Sequence, residues 1–277
     1  MLKIEAVVVI YNPDEYILDN ISSYIDFVDK LYIVDNSEIK NVDIINKIKR
    51  LSSKCVYIDN NGNQGIGQAL NIGAKFAIKN KANWLLTMDQ DSKFEDNDLK
   101  IMLNWIKSNN IENIGIVSPM HSENEQATHK FYETITMTSG NILNLSILDK
   151  LDFFNEKLFI DSVDTEYCLR LKQQGFLIKR IYDVILNHNL GDIQIYKFLG
   201  FSVKSSNHNA MRRYYMTRNR LYIYKEYYDI HPQFLKSDMR RAFIQFIKII
   251  LVEKDKLSKV KYTIKGIRDY YRGKFGK

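Results

Sequence analysis

Short apolar segments alternate with longer segments of helical periodicity through the first 120 residues, and this alternation is the strongest constraint on the fold. The apolar segments are rich in Val and Ile, as strands buried on both faces tend to be. The intervening segments, such as "NQGIGQALNIGAKFAIKN" and "NDLKIMLNWIKS", place apolar residues three and four positions apart. This order predicts an α/β domain with a mostly parallel sheet flanked by helices. The predicted strands cover residues 4–10, 31–34, 55–58, 84–88 and 114–117.

The pattern changes in the second half of the chain. A short strand region, "TITMTSGNILNLSIL", precedes a helix that is predicted to begin near Asp164 or Thr165 and to end before Gly175. After residue 231 the chain is predicted to be helical. We place a domain boundary there, which separates residues 1–230 from a basic amphipathic region at 231–277. One apolar stripe is predicted in this region, formed by Leu235, Met239, Ala242 or Phe243, Phe246 and Ile250.

The composition, 277 residues with 45% hydrophobic, is that of a globular protein. The segment "AFIQFIKIILV" is interrupted by Gln245 and Lys248, and it falls short of the roughly 20 apolar residues of a spanning helix. The N-terminal "MLKIEAVVVIYN" has no small-residue cleavage site. The two cysteines, Cys55 and Cys168, are too few for a disulfide framework. We therefore expect a cytoplasmic protein with both cysteines in its core.

Positive charge is concentrated at the C-terminal end. Residues 253–277 contain nine Lys or Arg and three acids, a net of +6 out of +7 for the chain. A nucleic-acid-binding protein more often carries its basic residues across the folded domain, so we expect no nucleic-acid partner. The basic segment is either a contact for an anionic surface or a solvated helix without a partner.

Polar residues follow four of the predicted strands at the points where the strands end. In a parallel α/β sheet the carboxyl ends of the strands lie on one edge, where ligands bind. We therefore expect these residues to surround one binding site. They are Tyr11 and Asn12 after the first strand, Asp35, Asn36 and Ser37 after the second, residues 59–65 with Asn63 and Gly65 after the third, and Asp89, Gln90 and Asp91 after the fourth.

Asp89 and Asp91 follow the fourth strand directly, in "WLLTMDQDS". Two carboxylates at this spacing present oxygens to a divalent cation, and Mg²⁺ binds one or two carboxylates completed by phosphate and water. Such a cation neutralises the charge on a diphosphate leaving group. An Asp-x-Asp pattern also occurs where an acid only caps a helix, so the motif alone leaves both interpretations open.

A dinucleotide-binding fingerprint is the competing interpretation of the glycines in "GNQGIGQAL". Gly65 and Gly67 have the fingerprint spacing, but Leu70 occupies the third glycine position, and the segment follows the third strand instead of the first. We therefore expect these glycines to let the backbone pass close to a nucleotide or to the sheet.

A second acidic cluster, "FIDSVDTEYCLRL", contains three candidates for a general base. Asp164 lies near a helix start, where a carboxylate is held ionised, and an ionised carboxylate in a cleft removes a proton from a hydroxyl. Asp161 and Glu166 are alternatives that spacing does not separate. His188, in "ILNHNLGD", is a metal ligand, an acceptor contact or a surface residue.

Arginines and tyrosines are interleaved in "RRYYMTRNR". Guanidinium groups bind diphosphate oxygens in a bidentate manner, which makes this segment a candidate for a diphosphate site. The alternative is an exposed basic helix whose tyrosines pack on the core. The arginines concerned are Arg212, Arg213, Arg218 and Arg220.

The ordered set of motifs resembles the family 2 glycosyltransferases of the GT-A fold. The segments that carry the resemblance are "VVVIYN", "IVDNS", "NQGIGQALNIG", "WLLTMDQDS", "TSGNILN", "LFIDSVDTEYCLRLKQQG", "NHNLG" and "RRYYMTRNR". The resemblance covers roughly residues 4–225. Within the family, the later segments look most like bacterial rhamnosyltransferases of O-antigen, capsule or cell-wall polysaccharide synthesis. The resemblance implies that residues 1–230 form a GT-A catalytic domain.

The resemblance also implies a role for each candidate residue. Asp164 would be the catalytic base of an inverting transfer. Asp91, with Asp89 and His188, would hold Mg²⁺ or Mn²⁺. The remaining candidates would bind substrate: Tyr11, Asn12, Asp35, Asn63, Gly65 and Asp89 the nucleotide-sugar donor, and Asp161, Arg212, Arg213 and Arg218 the diphosphate or the acceptor.

Two features depart from related polysaccharide synthases. The Gln-x-x-Arg-Trp signature of processive enzymes is absent, and so are their membrane spans, so we expect one or a few sugars to be added per encounter. Residues 231–277 match no catalytic signature. Their apolar stripe and basic residues suit peripheral attachment to the inner face of the cell membrane, where a polyprenyl-diphosphate-linked acceptor is found. A homodimer interface is the alternative.

The expected donor is dTDP-rhamnose, and the expected acceptor is a lipid-linked or growing glycan. A UDP-hexose or UDP-galactofuranose donor is the alternative within the same class. A sugar nucleotidyltransferase usually has a glycine-rich basic loop after its first strand, where this chain has "YNPDEY". A non-catalytic membrane-surface or nucleic-acid-binding module is the alternative of another class.

Overall fold

The computed structural model describes residues 2–121, 135–188, 194–198 and 201–277. The chain divides into two compact units. The first unit is formed by Met1–Glu156 and Val163–Asn189, and the second by Lys157–Ser162 and Leu190–Lys277. The predicted boundary near residue 231 falls inside the second unit, and the extent of a catalytic domain at 1–230 stays a prediction.

The strands of the first unit are β1 (Ile4–Ile10), β2 (Lys30–Asp35), β3 (Cys55–Asp59), β4 (Trp84–Asp89), β5 (Ser92–Lys93), β6 (Ile114–Met120), β7 (Asn141–Asn144), β8 (Leu177–Ile185) and β9 (Asn187–His188). Within the described residues, seven of them form one sheet in the order β3-β2-β1-β4-β7-β6-β8. Neighbours in this sheet are parallel except at β7, which is antiparallel to both β4 and β6. The predicted mostly parallel α/β sheet is confirmed.

The helices of the first unit are α1 (Tyr16–Ser22), α2 (Val42–Leu51), α3 (Ile66–Lys79), α4 (Asp98–Ser108), α5 (Leu145–Lys150) and α6 (Val163–Gln173). The apolar faces predicted for α3 and α4 are buried, including Leu99, Met102 and Ile106 of α4. Helix α6 begins at Val163, so Asp164 lies in its first turn, and the chain leaves the helix through Gly175, which has a φ of 80°.

Strand β1 lies inside the sheet, between β2 and β4, and all seven of its residues are buried. Full burial of a Val or Ile side chain contributes about 1.5–3 kcal/mol, so the apolar sequence of this strand accounts for its interior position. Helix α3 approaches β1 closely at Gly73, where an added Cβ would lie 2.4 Å from Cγ2 of Val7. Cys168 is buried as expected, and Cys55 is half-buried.

The second unit contains a hairpin of β10 (Gln194–Phe198) and β11 (Phe201–Ser205), and the helices α7 (Ala210–Tyr227), α8 (Pro232–Leu251) and α9 (Lys256–Tyr271). Helix α9 crosses α7 at Gly266, where an added Cβ would lie 2.7 Å from the carbonyl oxygen of Tyr214. A side chain at this position would separate the two helices. The helical prediction for the chain after residue 231 is confirmed.

The apolar stripe predicted for α8 is only partly buried. Leu235 is buried, but Phe243 and Ile250 are exposed, and Ile249 is buried in their place. The reason is that α8 contacts the rest of its unit along one side, while its apolar residues extend around a wider arc. None of the helices in the described part of the chain has both the length and the apolar composition needed to cross a bilayer.

Candidate functional site

The ends of the parallel strands meet at one edge of the first unit. In the register of β1 and β2, Ile10 lies beside Asp35, and in the register of β1 and β4, Val9 lies beside Asp89. Asp35 in turn lies beside Asp59, the last residue of β3. The structure therefore brings together the residues that the sequence placed after these strands.

Asp35 is a fully buried carboxylate in a fixed orientation. Its Oδ2 accepts a hydrogen bond from the Tyr57 hydroxyl (2.9 Å), and its Oδ1 accepts one from the Ser37 backbone N–H (2.8 Å). The Lys40 ammonium lies 3.8 Å from Oδ2 of Asp35 and 2.7 Å from Oδ1 of Asp59. Burial raises the pKa of Tyr57, and the hydrogen bond to Asp35 adds a smaller increase, so the Tyr57 hydroxyl remains a donor. The Asp35 carboxylate is therefore held in one orientation beneath this edge.

Gln90 connects the acidic motif to the end of β1. Its side-chain carbonyl accepts from the Tyr11 backbone N–H (2.8 Å), and its amide donates to the Tyr11 carbonyl (3.2 Å). The Asn20 side chain donates to the backbone carbonyl of Gln90 (2.8 Å). Because both ends of its amide are used, Gln90 holds the Tyr11 main chain and the acidic motif in one arrangement. Sequence reasoning missed this role, and the only signal was its position between two aspartates.

The neighbouring loops hold Asn12, Asn63 and Gly65. The Asn12 backbone N–H donates to the Ser37 hydroxyl (2.8 Å). The Asn63 side chain accepts from the Gly65 backbone N–H (3.0 Å), and Gly65 has a φ of 94°, in the left-handed region that favours glycine. The Asn36 side chain donates to the Gly65 carbonyl (3.2 Å), so the loops after β2 and β3 are bonded to each other.

Asp89, Asp91 and Asp164 form the negative centre of the edge. Burial raises the pKa of Asp89 to about 7, and the charges of Asp91 and Asp164 add to the increase. The Asp89 backbone N–H donates to the Ser139 hydroxyl (3.0 Å). A polar cavity of about 270 Å³ borders the motif and is lined in part by Asn20, Gln90, Asp91 and Lys93.

This concentration of negative charge fits a divalent cation. A raised carboxyl pKa means that the negative charge is not fully compensated by the protein, and a Mg²⁺ or Mn²⁺ ion supplies such compensation with one or two carboxylate ligands. Among the described residues, no three His, Cys, Asp or Glu side chains are arranged to hold a metal by themselves. Asp89 and Asp91 therefore suit a cation that takes its remaining ligands from substrate phosphate and water.

The main chain of His188 lies beside the acidic motif. Strands β5 and β9 are antiparallel, with His188 opposite Ser92 and Asn187 opposite Lys93. Ser92 follows Asp91 directly. His188, which lies 97 residues after Asp91 in the sequence, is thus brought next to the acidic motif. Its role as a metal ligand stays a prediction.

The three candidate bases have different surroundings. Glu166 is buried and accepts two hydrogen bonds from Arg170 (3.1 and 3.0 Å), which gives it a structural role. Asp161 belongs to the second unit and accepts bonds from Arg212 (3.1 to 3.2 Å). Asp164 is partly exposed and lies close enough to Asp89 to raise its pKa. Of the three, Asp164 is the one that the geometry places with the strand-end residues.

Two of the candidate arginines are interior residues of the second unit. Arg213 is buried and bonded to Glu253 (2.9 Å), and Arg218 donates to the Gly276 carbonyl (2.8 Å) beneath the rings of Tyr214 and Tyr215. Arg212 is exposed. The internal partners of Arg213 and Arg218 occupy their guanidinium groups, so we leave both out of the proposed site. Their contact with substrate stays a prediction.

Comparison with solved structures places this architecture among the GT-A glycosyltransferases. The fold is similar to TarS 1–349 of S. aureus, crystallised with UDP-GlcNAc, with a TM-score of 0.65, 16% identity, and coverage of 98% of this chain and 81% of that one. It is also similar to the mannosyltransferase PcManGT of Pyrobaculum calidifontis, in complex with GDP-Man and Mn²⁺, with a TM-score of 0.62, 12% identity, and coverage of 98% and 88%. The predicted GT-A fold is confirmed.

The sequence comparisons identify the family. Residues 5–164, more than half of the chain, match the model of glycosyl transferase family 2. The chain belongs to this family and is a glycosyltransferase. It is also 28% identical, over an alignment of 299 residues, to the dTDP-rhamnosyl transferase RfbF of Shigella flexneri, with coverage of 98% of this chain and 96% of that protein. These findings set aside the alternatives of a nucleotidyltransferase and of a non-catalytic module.

Proposed function

We propose that the protein is an inverting, divalent-cation-dependent rhamnosyltransferase that uses dTDP-rhamnose. The observation that carries the proposal is the convergence of Asp89, Asp91 and Asp164 at the strand ends, next to the oriented carboxylate of Asp35. The similarity to RfbF, which is a dTDP-rhamnosyl transferase, supports the choice of donor. The structurally similar TarS was crystallised with UDP-GlcNAc, so UDP-sugars are the donors to compare with dTDP-rhamnose.

The chemistry follows from the positions of these residues. Asp35 and Tyr11 bind the nucleoside, and the Gly65 loop borders it. A cation held by Asp89 and Asp91, with His188 as a proposed further ligand, would neutralise charge on the leaving diphosphate. The Asp164 carboxylate takes the proton from the acceptor hydroxyl, while the oxygen of that hydroxyl bonds to the anomeric carbon of the donor sugar. The bond from that carbon to the diphosphate breaks, dTDP leaves, and attack from the opposite face inverts the configuration.

We further propose that the acceptor is a lipid-linked or growing glycan of a bacterial surface polysaccharide. An acceptor of this kind is carried at a membrane, so the proposal includes a cytoplasmic enzyme at the inner face of the cell membrane. Contacts of Arg212 and of its ion-pair partner Asp161 with the acceptor belong to the same proposal, because the Arg212 side chain is exposed on the second unit.

The experiment is a donor panel with product analysis. Purified protein is incubated with dTDP-rhamnose, UDP-glucose, UDP-galactofuranose or UDP-GlcNAc, with Mn²⁺ or with EDTA, and release of the nucleoside diphosphate is measured. We expect release from dTDP-rhamnose only with the metal, and NMR of the product should show an inverted anomeric centre. Preferred release from a UDP-sugar would overturn the donor assignment, and equal release in EDTA would overturn the metal requirement.

A further inference from the structure

Helix α8 carries an apolar stripe that the second unit leaves exposed. The stripe consists of large aliphatic and aromatic residues at positions one, three and four apart, so a helix of 3.6 residues per turn places them on one face. Phe243 is 65% exposed and Ile250 is 47% exposed. Solvated helices do not usually present such a face, and contiguous exposed apolar surface marks an interaction site. The stripe contains Phe243, Ile244, Ile247, Ile250 and Leu251.

Helix α9 carries a second exposed stripe, formed by Leu257, Ile264, Ile267 and Tyr271, of which Leu257 is 89% exposed. Each stripe contributes one residue, Phe243 of α8 and Ile267 of α9, to a groove of about 490 Å³ between α7, α8 and α9. We call the two stripes together the α8–α9 surface.

Basic residues accompany this surface. Residues 232–277 contain thirteen Lys or Arg and four acids, a net of +9, while the rest of the chain carries −2 to give the total of +7. Three of the four acids are already paired: Asp238 with Arg220, Glu253 with Arg213 and Lys259, and Asp269 with Arg268. The exposed cations, by contrast, include Lys236 and Arg240 of α8, Lys261 of α9, and Arg272, which follows α9 directly.

We propose that the α8–α9 surface docks on an anionic lipid bilayer, with the apolar stripes in the headgroup layer and the basic residues against lipid phosphates. Helices with one apolar face and cationic flanks lie in the plane of a membrane interface, and each cation near an anionic bilayer contributes about 1 kcal/mol. A second copy of the chain is the other candidate for covering the stripes. A dimer would bring together two copies of residues 232–277, each with a net charge of +9, without acidic residues to oppose them. Charge complementarity therefore favours the bilayer.

Docking by this surface deepens the proposed location at the membrane, on which it rests, and is independent of the proposed sugar transfer. The donor is bound by the first unit, and none of the α8–α9 surface residues has a role there. A failure of vesicle binding would therefore leave the sugar transfer to dissolved acceptors unchanged, and a failure of transfer would leave vesicle binding unchanged.

The test is sedimentation of the full chain with vesicles of phosphatidylcholine alone or of phosphatidylcholine with phosphatidylglycerol. We expect binding to the anionic vesicles only, weakened by raising the salt concentration. The triple variant K236Q/R240Q/K261Q should lose about 100-fold in vesicle affinity, the equivalent of about 1 kcal/mol per cation. The triple variant F243Q/I247Q/I250Q should lose at least about tenfold, because three apolar side chains no longer enter the bilayer.

Controls separate docking from folding and from self-association. I39Q and K81Q remove an exposed apolar residue and a cation from the first unit, and both should bind vesicles as the unaltered chain does. All variants should keep their melting temperature, since the altered side chains are exposed. The proposal would be overturned if the unaltered chain did not bind anionic vesicles, or if both triple variants still bound them. So would a solution dimer that F243Q/I247Q/I250Q converts to monomers.

Discussion

The three carboxylates Asp35, Asp89 and Asp164 have different surroundings, and the proposed tasks differ accordingly. Asp35 is fully buried and fixed by Tyr57 and Ser37, so its proposed contact with the nucleoside requires the donor to reach it from the strand ends. Burial, with the nearby charges of Asp91 and Asp164, raises the pKa of Asp89 to about 7, which suits a cation ligand. Asp164 is partly exposed in the first turn of α6, where an acceptor hydroxyl has access.

Replacement of the proposed base should separate binding from chemistry. Above about pH 8, where Asp89 is ionised in both proteins, we expect Asp164→Asn to bind dTDP with an unchanged Kd and to lower kcat by about 10²- to 10⁴-fold, the usual contribution of general base catalysis. Calorimetry and a coupled assay of dTDP release measure the two quantities. Asp161→Asn is the matched comparison and should retain at least a tenth of the activity. Normal turnover by Asp164→Asn, with Asp161→Asn inactive, would transfer the role to Asp161.

The pKa of Asp89 predicts a pH dependence of metal binding. A proton occupies this carboxyl below about pH 7, and a cation must displace it. The affinity for Mn²⁺ with dTDP should therefore fall as the pH is lowered from 7 to 5, by up to about tenfold per unit, and level off above about 8. Asp164→Asn removes one of the neighbouring charges and should move the midpoint to lower pH. Calorimetry at a series of pH values would contradict this if the affinity were constant.

Gln90 offers a test of whether the link between β1 and the acidic motif matters for donor binding. Gln90→Ala removes two hydrogen bonds to Tyr11, which together contribute about 1–2 kcal/mol, so we expect the Kd for dTDP with Mn²⁺ to rise about 5- to 30-fold. Gln90→Glu keeps an acceptor but loses the donor and adds a charge between two aspartates. A Kd within twofold of the unaltered protein for both variants would exclude the positioning role.

At the scale of elements, helix α7 holds the loop 157–162 in an unusual conformation. Phe159, Asp161 and Ser162 have φ values of 61°, 62° and 65°, which are unfavourable for residues other than glycine. The buried side-chain amide of Asn219 donates to the carbonyls of Leu158 (2.8 Å), Ile160 (2.8 Å) and Asp161 (2.9 Å).

These bonds predict a graded effect of substitutions at Asn219. Asn219→Ala leaves the loop carbonyls without their donor and should lower the free energy of unfolding by about 2–4 kcal/mol. Asn219→Asp places acceptor oxygens against three carbonyls and should destabilise more. Thermal unfolding gives the order, and hydrogen exchange of residues 158–161 locates the effect. If the Asn219→Asp and Asn219→Ala proteins were equally stable, the hydrogen bonds of the Asn219 amide would not be what holds the loop.

Across the whole molecule, the segment that matches the family model and the segment that carries the excess positive charge are different parts of the chain. The family match covers residues 5–164, which contain the strand-end residues and end at the proposed base. The charge is divided in a similar way, with +9 on residues 232–277 and −2 on the rest. Donor chemistry and surface contact are thus assigned to separate parts of the sequence.

Ligand binding should stabilise the whole protein in a metal-dependent manner. At a dTDP concentration of about 100 times Kd, with Mn²⁺, the native state gains about 2.7 kcal/mol, which raises the Tm of a chain of this size by about 5–10 °C. EDTA should abolish most of the shift, and Asp91→Ala should not show it. The same shift in EDTA, measured by thermal denaturation, would exclude a cation from the donor site.

Local sequence determined the elements of the sheet and its class. The apolar run at residues 4–10 coincides with β1, and the predicted faces of α3 and α4 are buried, because these patterns are contained within a few neighbouring residues. The two-residue strands β5 and β9 have no periodicity and were not foreseen, and the antiparallel pairing of β7 depends on partners that are distant in sequence.

Tertiary structure alone decided the partners of the polar side chains. It paired Tyr11 with Gln90 across 79 residues, it separated the candidate bases by their surroundings, and it buried Arg213 and Arg218 in the second unit. It also left the apolar face of α8 exposed. The physical reason is that a residue type sets which bonds a side chain is able to make, whereas the packing of distant elements sets which of those partners are within reach and which groups remain accessible to solvent.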